Sequence, residues 1–260
     1  MTDIGRLLIT EFFGTAILIT LGNGIVANVV LKGTKAQNVG WLSICIGWGT
    51  AVFTAAIISS AFKGGQGWLN PAVMLAAAFA DFDGIKNAFA IFNNGEMVGI
   101  LIGVLALEIF GAILGSLIVD IVYINHIKLV LNDKSDLECK GTILGMHSTG
   151  PTDKSMINSF LMEFVATAVL VTAILAIGQY GTIPKFFVPI IVGAIVIGIG
   201  LSLGGTTGYA INPARDLGPR IVHQLLPLKG KGGSDWKYSW VPIAAPMSAG
   251  LIIGLIFSAL

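Results

Sequence analysis

Two tripeptides, Asn70-Pro71-Ala72 and Asn212-Pro213-Ala214, each open an apolar stretch that stops too soon to cross a bilayer, which takes about 20 residues. Asn is a favoured N-cap and Pro suits the first helical position, so each triplet reads as the start of a half-helix. Capping fixes the asparagine amide, and that amide keeps N–H groups for a passing oxygen. Two helix N-termini at one point, each the positive end of a dipole, would repel protons and cations. The second triplet runs directly into Arg215 and Asp216. Both are expensive in a lipid-facing helix, so they must face a wet cavity or the protein interior. Arg215 offers a rigid fork of donors that holds two acceptors at once and repels cations. For Asp216 a salt bridge that braces the half-helix is the better reading than solute contact.

Glu11 and Glu163 sit early in apolar runs. Either is a candidate for a proton relay. Their matched placement favours a structural role, each carboxylate accepting hydrogen bonds from the irregular segment ahead of an Asn-Pro-Ala. Glu108 reads the same way. His126, His147 and His223 have no metal-ligand spacing, no nucleophile–base pair is apparent, and no metal or cofactor is expected. Cys45 lies in an apolar run and Cys139 in a polar one, so a disulfide is not expected.

The elements that must position these residues are membrane helices. The chain has 260 residues, 55 % hydrophobic and 11 % charged, where a soluble domain carries about 25 % charged residues. Its apolar runs are continuous rather than alternating, which argues for helices over a barrel. The N-terminus lacks a basic n-region and cleavage site, so the first run reads as a retained helix. Spans are expected near 7–31, 41–61, 97–123, 158–179, 184–204 and 238–259. The longest connector, 125–157, carries Asp133, Lys134, Asp136, Glu138 and Lys140 and reads as a surface loop. Glycines at four-residue spacing, Gly99/Gly103, Gly111/Gly115, Gly200/Gly204 and Gly250/Gly254, suit close helix packing. A net charge of +1 gives no argument for nucleic acid.

The chain also repeats itself. TEFFGTAILIT at Thr10–Thr20 matches MEFVATAVLVT at Met162–Thr172, and one Asn-Pro-Ala follows in each half. Each half reads as three spans plus a half-helix. Three is odd, so the second half is inverted, and inverted repeats with broken helices place a solute site near the midplane. The expectation is a single all-α membrane domain over 1–260, with halves of about 1–124 and 158–260, six transmembrane helices and two re-entrant half-helices. The lead-ins 63–69 and 204–211 are tolerable at depth only against a cavity or protein, where their carbonyls form ladders of acceptors.

These motifs resemble the aquaporin superfamily, and more closely its glycerol facilitator (aquaglyceroporin) branch. The resemblance covers nearly the whole chain and implies a constriction built by Trp48, Gly200, Tyr209 and Arg215. Glycerol facilitators carry Trp, Gly, an aromatic and Arg there, with Asp after the Arg and a basic residue beyond, as Asp216 and Arg220 here. Tyr123, Pro242 and Ile243 fit the same branch. Two departures stand out: Tyr209 replaces the usual Phe, and the first lead-in is longer than usual, with Trp68 where many members have His. By itself Trp48 reads equally well as an interfacial anchor. The implied carbonyl ladders are Gln66, Gly67, Trp68 and Leu69, and Gly208, Tyr209 and Ala210. The implied function is a passive channel for glycerol, similar small neutral solutes and water, in a homotetramer embedded in plasma-membrane lipid.

A water-selective pore is the alternative within the channel class. A secondary transporter would need a coupling-ion site, and a structural membrane protein would fold without conducting. The resemblance places both termini in the cytoplasm, leaving Arg6, Lys63, Lys86 and Lys185 inside. The outer side then holds Lys32, Lys35, Lys128, Lys134, Lys140, Lys154, Lys229, Lys231 and Lys237, against the usual positive-inside bias.

Overall fold

The computed structural model describes residues 1–91, 93–133, 139–153 and 155–260. Lys134, Asp136, Glu138 and Lys154, named above among the loop charges, lie outside them. Helix α1 covers Asp3–Val30, with Thr2 as N-cap accepting from the Gly5 N–H. Helix α2 covers Trp41–Ser60. Asn70 then caps a half-helix, α3, over Pro71–Ala80, and Asp81 both ends it and caps the short α4, Phe82–Ala88. Helix α5 covers Asn94–Asn132, α6 Cys139–His147 and α7 Met156–Gln179. A 3₁₀ turn at Lys185–Phe187 leads into α8, Val188–Leu203. Asn212 caps the second half-helix, α9, Pro213–Leu225, and α10 covers Val241–Ser258.

Six of these helices are long and apolar enough to cross a membrane. At 1.5 Å per residue α3 and α9 reach only about 15 and 20 Å, short of the hydrocarbon core of about 30 Å. Pro71 and Pro213 take the first helical position in each, where a missing N–H costs nothing.

The expected loop over 125–157 is corrected in two places. Helix α5 continues to Asn132 instead of ending near 123. Nothing in Ile124–Asn132 breaks a helix, and its Ile127 and Val130 are buried in the main core alongside Leu31. The His126 ring bonds the Lys32 carbonyl at 2.9 Å, so this extension props the turn after α1. Cys139, placed by sequence in a polar loop, begins α6, which buries Ile143, Met146 and His147. Both pieces are amphipathic and short, and their charges hid the apolar stripe. Cys45 and Cys139 are free thiols.

Packing pairs the helices in a pattern that recurs between the halves. Helix α1 packs on α2 and α5, and α7 on α8 and α10. Each half-helix leans on the last span of the other half, α3 on α10 and α9 on α5, while α2 and α8 pack on each other. Glycines set the closest approaches. A Cβ on Gly254 would stand 2.7 Å from the Ala76 carbonyl, and one on Gly250 would strike the Ala72 carbonyl. Gly111 and Gly115 likewise seat the α1 backbone at Phe12 and Ala16. The α2–α8 contact is glycine on glycine, since a Cβ on Gly49 would lie 2.5 Å from the Gly193 carbonyl. Gly99 and Gly103 do not act this way: Gly99 faces open space and Gly103 meets Leu8 only at ordinary distance.

Candidate functional site

The segments ahead of the two asparagines are irregular, and both place non-glycine residues in the left-handed region. Leu69 has φ +54°, Tyr209 +41° and Ile211 +45°. Such backbone persists only where its surroundings hold it. Two buried glutamates do so. Glu11 accepts from the Trp68 and Leu69 N–H groups at 3.1 and 2.7 Å. Glu163 accepts from Ala210 and Ile211 at 2.9 and 2.8 Å and also from the Thr207 hydroxyl at 2.6 Å. Glu108 takes the Asn70 N–H at 2.9 Å. A helical carboxylate thus replaces the ladder partner that each N–H lacks.

The half-helices meet head to head. Asn70 Oδ1 accepts from Ala72, and Asn212 Oδ1 from Ala214 and Arg215. The amide nitrogens cross over: Asn70 Nδ2 donates to the Ile211 carbonyl, and Asn212 Nδ2 to the Leu69 carbonyl, both at 2.8 Å. Each asparagine therefore caps its own helix and ties down the residue before the other. An amide nitrogen has two hydrogens, so each keeps one N–H beyond this lock.

A cavity of about 920 Å³ runs through this junction. Lys63 and Lys185 line one end, Asn70 and Asn212 its middle, and Trp48, Tyr209 and Arg215 the other. Gln66, Gly67, Trp68, Leu69, Tyr209 and Ala210 also line it, whereas Gly208 does not. The carbonyls of Gln66, Gly67, Trp68, Tyr209 and Ala210 accept no hydrogen bond among the described residues. That of Leu69 is partly used by Asn212.

At the far end Arg215 lies over the Trp48 ring, 4.1 Å from guanidinium carbon to centroid. Gly200 does not line the cavity; it stands behind Tyr209. A Cβ there would lie 2.6 Å from Tyr209 Cζ and 2.9 Å from Cys45 Sγ. Trp41 closes the niche, its indole donating to the Gly200 carbonyl at 3.0 Å and its ring meeting Tyr209 edge-on. The Tyr209 hydroxyl is thus turned into protein beside the Cys45 thiol, and among the described residues it makes no hydrogen bond of good geometry. This end of the cavity brings together aromatic rings, guanidinium N–H groups and free carbonyls. Asp216 is outside it, accepting from the Thr149 N–H and hydroxyl and from Arg220 Nε and Nη2.

Comparison with known proteins gives the family. The model for the major intrinsic protein family matches residues 2–257. The chain belongs to the major intrinsic protein family. Glycerol uptake facilitator protein 3 of Lactiplantibacillus plantarum is 45 % identical over 253 residues, covering 97 % of this chain and 96 % of that protein. The glycerol uptake facilitator protein of Bacillus subtilis is 41 % identical, covering 96 % of this chain and 82 % of the relative. Among solved structures, the aquaglyceroporin from Plasmodium falciparum superimposes with a TM-score of 0.78 at 26 % identity, covering 99 % of this chain and 96 % of that one.

In this major intrinsic protein several supporting residues escaped the sequence reading. Gly22 of α1 makes room for Trp48 as Gly200 does for Tyr209, since a Cβ there would come within 2.1 Å of the indole ring. His147 presents its backbone carbonyl to Arg215 Nη1 at 3.3 Å. Thr207 bridges Glu163 and the Tyr209 N–H. None lies in a tripeptide motif. Only the polarity of Thr207 within the second lead-in was a signal available in advance.

Proposed function

We propose that the chain is a passive channel for glycerol and other small uncharged solutes, with some water permeation and exclusion of ions and protons. The observation that carries this reading is the mixed lining at one end of the cavity, aromatic rings beside guanidinium N–H groups and free carbonyls. Glycerol has a CH face and a hydroxyl face; Trp48 and Tyr209 form an apolar corner for the first, and Arg215 with the free carbonyls serves the second. Of the five guanidinium donors, one hydrogen bond goes to His147 among the described residues, which leaves the remainder for solute. Gly200 contributes by letting the Tyr209 ring lie back from the passage. The names of the relatives in Lactiplantibacillus and Bacillus support the same solute.

In this reading Asn70 and Asn212 donate their remaining N–H groups to a solute oxygen at mid-passage. Pro71, Ala72, Pro213 and Ala214 build the junction that holds them. Gln66, Gly67, Trp68 and Leu69 on one side, and Tyr209 and Ala210 on the other, hand hydroxyls along. Gly208 serves as the turn that enters the second lead-in. Glu11, Glu163 and Asp216 support the lead-ins without touching solute. Two opposed helix N-termini disfavour cations at the junction. The chain forms one channel domain of two inverted halves, about 1–124 and 158–260, in the plasma membrane with both termini cytoplasmic. Exposed apolar residues such as Phe13, Ile121 and Val169 suit lipid or neighbouring subunits of a homotetramer with one pore each.

Stopped-flow light scattering on proteoliposomes tests the reading, with water and inward glycerol gradients run separately. Fast, non-saturating glycerol entry supports it. Fast water flow without glycerol entry would mean a water-selective pore. Saturable uptake that follows an ion gradient would mean a transporter.

A further inference from the structure

Behind Arg215 lies a buried polar cluster that solute passage does not use. Asp120 on α5, His147 at the end of α6 and His223 on α9 are all buried. His147 Nε2 stands 2.9 Å from Asp120 Oδ1. The other side of the ring is fixed as well, with Nδ1 2.7 Å from the Ile143 carbonyl. A carbonyl only accepts, so Nδ1 carries a hydrogen. Imidazole and carboxyl thus stand in direct contact as a buried pair, although the contact lacks hydrogen-bond geometry. The His223 ring meets His147 edge-on, centroids 5.3 Å apart, and is itself tied to the Ser234 hydroxyl.

This arrangement fixes one backbone atom that matters to the passage. His147 is the last residue of α6, where carbonyls have no partner within the helix. Its carbonyl accepts from Arg215 Nη1 and from Asn23 Nδ2, both at 3.3 Å. Among the described residues it is the one hydrogen-bond acceptor of the Arg215 guanidinium. Trp48 holds the face of the guanidinium and this carbonyl holds an edge. A shift of the carbonyl therefore moves the arginine toward or away from Tyr209.

We infer that Asp120 is a positioning residue for solute selection: by clamping His147 it sets the carbonyl that orients Arg215, and with it the width the constriction presents. The inference rests on the proposal that Arg215 belongs to the constriction. Its effect is on which solutes pass, not on whether the chain folds as a channel.

The test measures water, glycerol and erythritol permeability in proteoliposomes for Asp120→Asn and His147→Gln. Each is made alone and in an Arg215→Ala background. Loosening Arg215 favours the larger solute, so Asp120→Asn raises the erythritol-to-glycerol ratio by about threefold, and the rise vanishes in Arg215→Ala because the two act as a unit. His147→Gln keeps the backbone carbonyl but loses the pairing, and it carries the same test if Asp120→Asn fails to assemble. An unchanged ratio in a normally folded single variant overturns the inference. So does a rise of equal size in the Arg215→Ala background. Wild-type liposomes that pass no glycerol refute the channel reading itself, and this inference falls with it.

Discussion

Tyr209 occupies the space that a side chain on Gly200 would need: a Cβ on Gly200 would come within 2.6 Å of Tyr209 Cζ and 2.7 Å of its hydroxyl oxygen. The glycine and the aromatic are one device, in which the first recesses the second. Substituting Gly200 must push the ring toward Arg215, because the niche behind is closed by Trp41 and Cys45. Overpacking of this kind costs about 1–3 kcal/mol, or roughly a tenfold effect on a rate if it falls on the solute path. Gly200→His is expected to cut glycerol permeability about tenfold and water permeability much less, as read by stopped-flow scattering. Equal losses for both solutes would place the ring away from the constriction.

The Tyr209 hydroxyl faces Gly200 and the Cys45 thiol rather than the cavity, and among the described residues it makes no hydrogen bond of good geometry. Removing an unsatisfied buried hydroxyl is close to neutral or slightly stabilising. Tyr209→Phe should leave the glycerol-to-water ratio within about twofold of the parent, a change of under 0.5 kcal/mol by the usual conversion. A shift of several-fold would mean that the hydroxyl reaches the solute.

Glu163 receives three hydrogen bonds and Glu11 two from the segments they hold. Glu163→Gln keeps one acceptor oxygen but turns an NH₂ toward a buried backbone donor. Leaving buried donors unmet costs about 1–3 kcal/mol each. The expected result is a clear fall in the unfolding temperature of the detergent-solubilised protein. Thr207→Val removes one of the three bonds and also leaves the Tyr209 N–H unmet, so it too should lower the unfolding temperature.

Asn70 and Asn212 lock each other through bonds to Leu69 and Ile211. Replacing either by Ala removes a helix cap worth about 1 kcal/mol and one cross-bond worth about 1 kcal/mol more. The two losses should not add, because breaking one bond already frees the junction that the other spans. Thermal unfolding of Asn70→Ala, Asn212→Ala and the double variant checks this, and strict additivity would contradict a shared lock.

The α2–α8 seam depends on Gly49 against the Gly193 carbonyl. A Cβ on Gly49 would meet the Ile197 side chain at 2.3 Å and that carbonyl at 2.5 Å, and the carbonyl, being backbone, cannot swing aside. Gly49→Ala should cost about 1–3 kcal/mol as overpacking, seen as lower thermal stability with the glycerol-to-water ratio unchanged. A normal unfolding temperature would show that the helices separate freely.

Much of this protein is local and could be read along the chain. Span lengths, the Asn caps with Pro behind them and the short runs that follow depend on neighbours in sequence, so Asn70, Asn212 and the six long helices were legible. Glu11 and Glu163 were visible through their matched positions in a repeated segment, and Arg215 through the cost of a charge in lipid. Other features were settled in three dimensions. Helix α6 and the end of α5 exist because Ile127, Val130 and Ile143 find a core contributed by distant residues such as Leu31. Tyr209 is recessed because Gly200 and Trp41 stand behind it, and Trp48 lies flat because Gly22 yields space on another helix. The His147 carbonyl meets Arg215 only after α6 is laid beside α9. A helix cap joins residues two or three apart, whereas the width of a passage is set by side chains from separate helices. Their distances come from packing, and no spacing along the chain encodes them.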